Sequence, residues 1–213
     1  MGLIRQFDQY IDAEGKRLDR EEFTGYDILR ICRSLLGKVI VSRQEEIPTS
    51  GVIVELEAYK APEDKASHAY NDRKTERTEV MFMKGGHAYV YLCYGIHHMF
   101  NIVTGPQNTA HAILVRAIEP LEGMSAMMSR RGLSSPEYRL TSGPGSLARA
   151  MGIHTRQTGT DLITSNKLFV EDRGIELSDG DILTSERIGI DYAGEWAKKP
   201  WRFTLKGSPW VSR

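Results

Sequence analysis

Residues 51–101 read GVIVELEAYKAPEDKASHAYNDRKTERTEVMFMKGGHAYVYLCYGIHHMFN, and their periodicity decides the fold. In VIVELEAY the side chains alternate, so Val52, Val54, Leu56 and Ala58 face one side of a strand while Ile53, Glu55, Glu57 and Tyr59 face the other. An apolar core face thus backs a face of carboxylates and an aromatic. HAYVYLCYGIHHMFNIV reads as a β-hairpin turning near Gly95, with Tyr89, Tyr91, Tyr94 and Phe100 around the turn. Between these strands, residues 60–80 are polar with a single proline, Pro62; a long ordered loop in a compact domain often serves function.

Working toward the N-terminus, KVIVSR (38–43) is a β-branched run that pairs as a hairpin with the 52–59 strand through Pro48, Ser50 and Gly51. Before it, Asp27 caps a helix whose Ile28, Ile31, Cys32, Leu35 and Leu36 fall at helical spacing, with Gly37 as its stop. Residues 1–24 are weakly patterned and form an N-terminal arm. Toward the C-terminus, AILVRAI (112–118) is an apolar strand carrying Arg116. Pro120 suits the first turn of a helix in which Met124, Met127 and Met128 repeat as core filler. SGPGSLARAMGI predicts a turn, a Ser146 cap, a short helix and a stop at Gly152; short strands then alternate with turns to the end. No repeat appears, and the order of elements predicts one α+β domain over 1–213, on a mostly antiparallel sheet with short flanking helices.

Composition narrows the function classes. An apolar share of 40% and a charged share of 26% suit a soluble globular protein, and no apolar run approaches the ~20 residues of a membrane span. With no secretory pattern at the N-terminus and only Cys32 and Cys93, the expected location is intracellular and reducing. Formal net charge is zero, yet Arg130, Arg131, Arg139, Arg149 and Arg156 face only Glu137 between residues 127 and 156, and the tail holds Lys198, Lys199, Arg202 and Lys206. A neutral chain of this kind can present a basic face.

Glu57 is the first chemical candidate, because a carboxylate on a strand between Leu56 and Ala58 must be paired or hydrogen-bonded once it loses solvent. Arg116, embedded in an apolar strand, is its natural partner. The six histidines show no metal-ligand spacing and neither cysteine has a CxxC neighbour, so no metal is expected. Nucleotide-cofactor and serine-hydrolase motifs have no counterpart either, and no cofactor is expected. Tyr59, Tyr89 and Tyr91 suit either core packing or stacking of a flat ligand, whereas Tyr94, beside the turn glycine, should project as a wedge.

ELEAYKAPEDKASHAY, MFMKGGHAYVYLCYGIHHMFNIV, LVRAIEPLEG, SGPGSL and GEWAKKPWRFTLKGSPWVS together resemble the alkyladenine (3-methyladenine) DNA glycosylases of the mammalian and Bacillus type, from about Leu35 to the C-terminus. The resemblance implies a fold like the C-terminal domain of methionyl-tRNA formyltransferase, and a monomeric, monofunctional enzyme acting in the cytoplasm, at the bacterial nucleoid or elsewhere inside the cell. Its partner would be double-stranded DNA containing alkylated or deaminated purines. By the same resemblance Glu57 is the general base. Arg116 and the backbone carbonyl of Ile188 hold the attacking water, Tyr59 and Tyr91 sandwich the flipped base, His68 bonds its edge, Asn101 discriminates against purines bearing an exocyclic amino group such as guanine, and Tyr94 fills the gap in the duplex. The chain departs from the family pattern at Thr78, at Gly85-Gly86 and at the hairpin tip, Ile96-His97-His98. The competing reading is a non-catalytic nucleic-acid-binding module of the same fold; a metal-dependent hydrolase or a lysine-based lyase has less support from these residues.

Overall fold

The computed structural model describes residues 3–212. Asp27 Oδ1 accepts the N–H groups of Leu29 and Arg30, satisfying two free donors of the helix it opens. In chain order the elements are β1 (Lys16–Arg17), α1 (Ile28–Leu35), β2 (Val39–Ser42), β3 (Thr49–Tyr59), β4 (Ala88–Cys93), β5 (His97–Thr104), β6 (His111–Glu122), α2 (Met124–Arg131), α3 (Pro144–Ala150), β7 (Leu168–Asp172), β8 (Ile182–Ser185) and β9 (Arg202–Leu205), joined by loops and short 3-10 turns. These strands form one sheet in the order β1-β7-β2-β3-β6-β5-β4. Along one edge of β3, β2 pairs with Thr49–Val52 and β9 takes over at Glu55–Glu57, with β8 outside β9. All pairings are antiparallel, as an α+β chain with hairpin connections requires.

The apolar side of β3 does what its alternation predicts: Val52, Val54, Leu56 and Ala58 are fully buried in the main core. Helix α1 packs on β3, α3 packs on β5 and β6, and α2 packs on α3 with Met127 fully buried. The other side of β3 differs from the simple two-faced picture, because loops and the C-terminal tail cover it and leave Glu55 and Glu57 without exposure. Ile53, expected beside the glutamates, joins the main core instead. Register between β3 and β6 slips three times, leaving Leu121, Val54 and Arg116 without an opposite residue, and irregularities of this kind break strict alternation.

Two local expectations are corrected. Pro120 does not start a helix; it lies inside β6 opposite Gly51, next to a register irregularity and beyond the segment His111–Leu114 that pairs with β5. A residue with no N–H is tolerated where the ladder is already interrupted and one side has no neighbouring strand. The helix begins after Gly123, whose φ of 72° ends the strand. Ser146 likewise lies within α3 rather than capping it, and Pro144 holds the first helical position after Gly143. The N-terminal segment packs on the body through buried Phe7, Leu18 and Phe23; β1 pairs with β7, and the Phe7 N–H donates to Glu119 Oε1 at 3.0 Å.

Candidate active site

Two carboxylates and one guanidinium form the base of the site. The bulge at Arg116 turns its side chain to the glutamate face of β3, where Nε donates to Glu55 Oε1 at 2.8 Å, Nη1 to Glu57 Oε2 at 3.4 Å and Nη2 to Ser212 Oγ at 3.3 Å. Glu55 also accepts from Arg202 Nε at 2.7 Å, the Ser212 N–H at 2.6 Å and the Ser212 hydroxyl at 2.7 Å. Glu57 is held differently: Oε1 accepts the Ile188 N–H at 2.8 Å and Oε2 accepts the Tyr59 hydroxyl at 2.8 Å. Burial pulls the Arg116 guanidinium down, but Glu57 and then Glu55 more than offset that and leave it above its ordinary value. Burial, reinforced by Glu57, pushes the Tyr59 hydroxyl well above the usual phenol range, so Tyr59 is a donor.

Above this base opens a cavity of about 440 Å³, of the size that takes a small planar ligand. Tyr59, His68, Tyr91, Asn101, Arg116, Ile188 and Tyr94 all line it. Glu57 itself lies just behind the wall, touching the cavity through three of its lining residues, Tyr59, Arg116 and Ile188. Tyr59, at the end of β3, is backed by Arg187, whose guanidinium carbon lies 4.7 Å from the ring centroid. Arg187 is in turn locked in a fully buried pair with Asp64, Nη1 to Oδ2 at 2.5 Å and Nη2 to Oδ1 at 3.0 Å. Tyr91 comes from β4, where burial raises its hydroxyl above the ordinary range. Its ring meets that of His68 edge-on at 4.6 Å. Asn101 on β5 is pinned by its amide, Nδ2 donating to the Tyr89 and Met99 carbonyls at 3.1 and 3.0 Å.

His68 Nδ1 lies 2.8 Å from the Tyr89 hydroxyl and Nε2 lies 3.3 Å from Arg77 Nη2. Burial, aided by Arg77, lowers the imidazole to about 4, so it is neutral at pH 7. At the cavity mouth the β4–β5 turn holds Tyr94 at 93% exposure, the projecting ring the hairpin reading predicts. The tip is braced from below: His98 Nδ1 accepts the Thr155 N–H at 3.2 Å, and the His97 ring packs against Gly145. His87 and His111 bond to the Lys84 and Ala61 carbonyls. Among the described residues no three His, Cys, Asp or Glu side chains gather as a metal site, and no helix is long and apolar enough to cross a membrane.

All eight expected site residues therefore converge on one cavity or its wall. For Ile188 the contact seen is through its N–H, which donates to Glu57. Tyr89, read from sequence as a candidate for stacking, is only 2% exposed and serves as the support beneath His68. Glu55, Asp64, Arg77, Arg187, Arg202 and Ser212 are additions the sequence did not single out as site residues. Only for Glu55 was there a signal, since it shares the strand face of Glu57; the others are joined by contacts spanning 9 to 157 residues.

Comparison with known proteins places the chain in a family. The methylpurine-DNA glycosylase family matches residues 22–209. A protein of Chlamydia pneumoniae named "Putative 3-methyladenine DNA glycosylase" is 43% identical over 189 residues, covering 88% of this chain and 94% of the relative. A protein of the same name from Bacillus cereus strain G9842 is 45% identical over 196 residues, covering 88% and 95%. These matches make the protein a DNA glycosylase, a hydrolase of N-glycosyl bonds. The chain belongs to the methylpurine-DNA glycosylase family.

Proposed function

We propose that this protein flips alkylated or deaminated purines, of the 3-methyladenine, 7-methylguanine, hypoxanthine and ethenoadenine class, out of duplex DNA and hydrolyses their N-glycosidic bond with a water activated by Glu57. The observation that carries the reading is the buried Glu57 carboxylate, hydrogen-bonded by Arg116, the Ile188 N–H and Tyr59 immediately behind a purine-sized cavity. As the bond from the sugar C1′ to the purine lengthens, positive charge builds on the sugar and the base leaves with the bonding electrons. Glu57 stabilises that charge and takes the proton of the water whose oxygen attacks C1′. In the free protein the Tyr59 hydroxyl occupies Oε2; during the reaction that oxygen passes to the water, which Arg116 and the Ile188 carbonyl also hold.

Tyr59 and Tyr91 clasp the flipped ring, His68 bonds its edge, and the immobilised Asn101 amide crowds the exocyclic amino group of an unmodified purine such as guanine, a penalty that a cationic alkylated purine offsets because its glycosidic bond is already weakened. Tyr94 enters the duplex where the base has left, restoring part of the lost stacking. No lysine is assigned a role, so the enzyme is monofunctional; in this reading it works as a monomer on intracellular DNA. Duplexes carrying hypoxanthine, ethenoadenine or 7-methylguanine, incubated in EDTA and read out as alkali-cleavable abasic sites, test the reading. Release of at least one of these bases is expected, without borohydride trapping of protein on DNA. Binding of the lesion duplex with no release of any base would instead favour the non-catalytic module.

A further inference from the structure

The loop before β4 carries a cation into the cavity that neither the strand pattern nor the proposed chemistry uses. Thr78 pins this loop: its hydroxyl donates to the Arg73 carbonyl at 2.9 Å and accepts the Thr75 N–H at 2.9 Å. From the loop so fixed, Arg77 reaches back to place its guanidinium carbon 4.8 Å from the centroid of the Tyr91 ring. Its Nη2 lies 3.3 Å from His68 Nε2. The guanidinium is a planar cation with one edge of N–H donors, set against an aromatic ring and an imidazole nitrogen. A purine captured at Tyr91 would seek those same groups. Among the described residues no carboxylate lies within ion-pair distance of Arg77, so its charge is not locally neutralised.

We infer that Arg77 is a specificity-determining residue: its guanidinium occupies the Tyr91 and His68 contacts in the free protein and weights the pocket against cationic purines relative to neutral ones. The inference rests on the purine-excision reading given above. Any ligand must displace the guanidinium, but a cationic purine must also enter beside a retained positive charge. Electron-rich tyrosine faces attract cations, and Arg77 already draws on that attraction at Tyr91.

The contact also fixes the imidazole. A guanidinium only donates, so Nε2 is the acceptor and the ring proton sits on Nδ1, directed at the Tyr89 hydroxyl. When Arg77 withdraws, the Tyr89 hydroxyl can turn to donate to Nδ1, and Nε2 then carries the proton toward an acceptor on the purine edge. Hypoxanthine offers such acceptors and is neutral, so the displaced state suits it.

The test measures single-turnover release of 7-methylguanine and of hypoxanthine from matched duplexes by wild type, Arg77→Met and Arg77→Lys. Arg77 is exposed at the surface of its loop, so neither change removes core packing. Arg77→Met is expected to raise the 7-methylguanine to hypoxanthine rate ratio by roughly 2- to 5-fold, the size of an exposed cation–aromatic contact. Arg77→Lys, which keeps the charge, should hold the ratio near wild type. NMR titration of His68 in the DNA-free protein gives an independent readout: its imidazole should titrate higher in Arg77→Met, because one of the two causes of its depression is gone.

An unchanged ratio in Arg77→Met would overturn the inference, as would equal loss of both activities with a shallower salt dependence, the mark of a plain phosphate contact. Arg77→Lys behaving like Arg77→Met would overturn the role of charge. If wild type releases neither purine, the excision reading itself fails, a result distinct from release with an insensitive ratio.

Discussion

Glu55 and Glu57 stand two residues apart on one face of β3, and their donors separate them. Glu55 accepts from Arg116, Arg202 and both the N–H and hydroxyl of Ser212, which saturates it and ties the C-terminal tail to the sheet. Glu57 accepts two short bonds and one long one from Arg116 at 3.4 Å, and only its donors separate it from the cavity. Glu55→Gln should therefore cost stability, about 3 kcal/mol, by leaving Arg202 without its counter-charge and Arg116 with Glu57 alone in a buried site. Urea unfolding would show it, and a change within 0.5 kcal/mol, on the order of an ordinary surface substitution, would contradict the anchoring role. Sequence alternation puts both acids on one face but is blind to this difference. The partners that distinguish them lie 2 to 157 residues away, and only the folded sheet brings them close.

At the scale of elements, the β4–β5 hairpin was the most legible part, since a tyrosine-rich run and an apolar run on either side of a glycine leave few alternatives. What the pattern could not show is that Tyr94 itself turns with φ of 50°, followed by Gly95 at 72°. A bulky residue in the left-handed region carries backbone strain, and such strain collects at functional positions. Tyr94→Gly should relieve it. The variant is expected to unfold at the same denaturant concentration as wild type or slightly higher, yet to bind an abasic duplex at least about tenfold more weakly, as loss of a stacking ring predicts. Weaker binding matched by a lower unfolding midpoint would instead mean that the ring supports the fold. β6 was less legible: Pro120 is a helix-start signal locally, and the separate register irregularities beside it and at Arg116 come from pairing with β3.

Across the whole molecule, zero net charge hides a local gathering of arginines. Arg149 Nε donates to the Arg130 carbonyl and Arg131 Nη2 to that of Arg139, so four arginines of the 127–156 stretch gather around the end of α2, while Arg156 faces Glu45. Arg202, counted with the basic tail in the sequence, is withdrawn into the Glu55 pair. The N-terminal segment closes the far end of β6, where desolvation pushes the Glu119 carboxyl up to about 7 against an ordinary 4.5, even though it accepts the Phe7 N–H. Among the described residues its Oε2 has no hydrogen-bond partner. The folded state therefore holds a proton that the unfolded chain has lost between about pH 4.5 and 7, and stability contributed by this group falls as pH rises through that window. Glu119→Gln should lack the slope, so its Tm should exceed that of wild type at pH 8 and the gap should close toward pH 5. A gap independent of pH would refute the assignment.

The central claim is that Glu57 performs the chemistry rather than holding the fold or the DNA. Single-turnover release of hypoxanthine by Glu57→Gln, set beside its affinity for the same duplex, tests this most directly. A loss of about 10²- to 10⁴-fold in rate is expected, as removal of a general base gives, with affinity within a few-fold of wild type. Release at the wild-type rate by a variant that binds normally would contradict it.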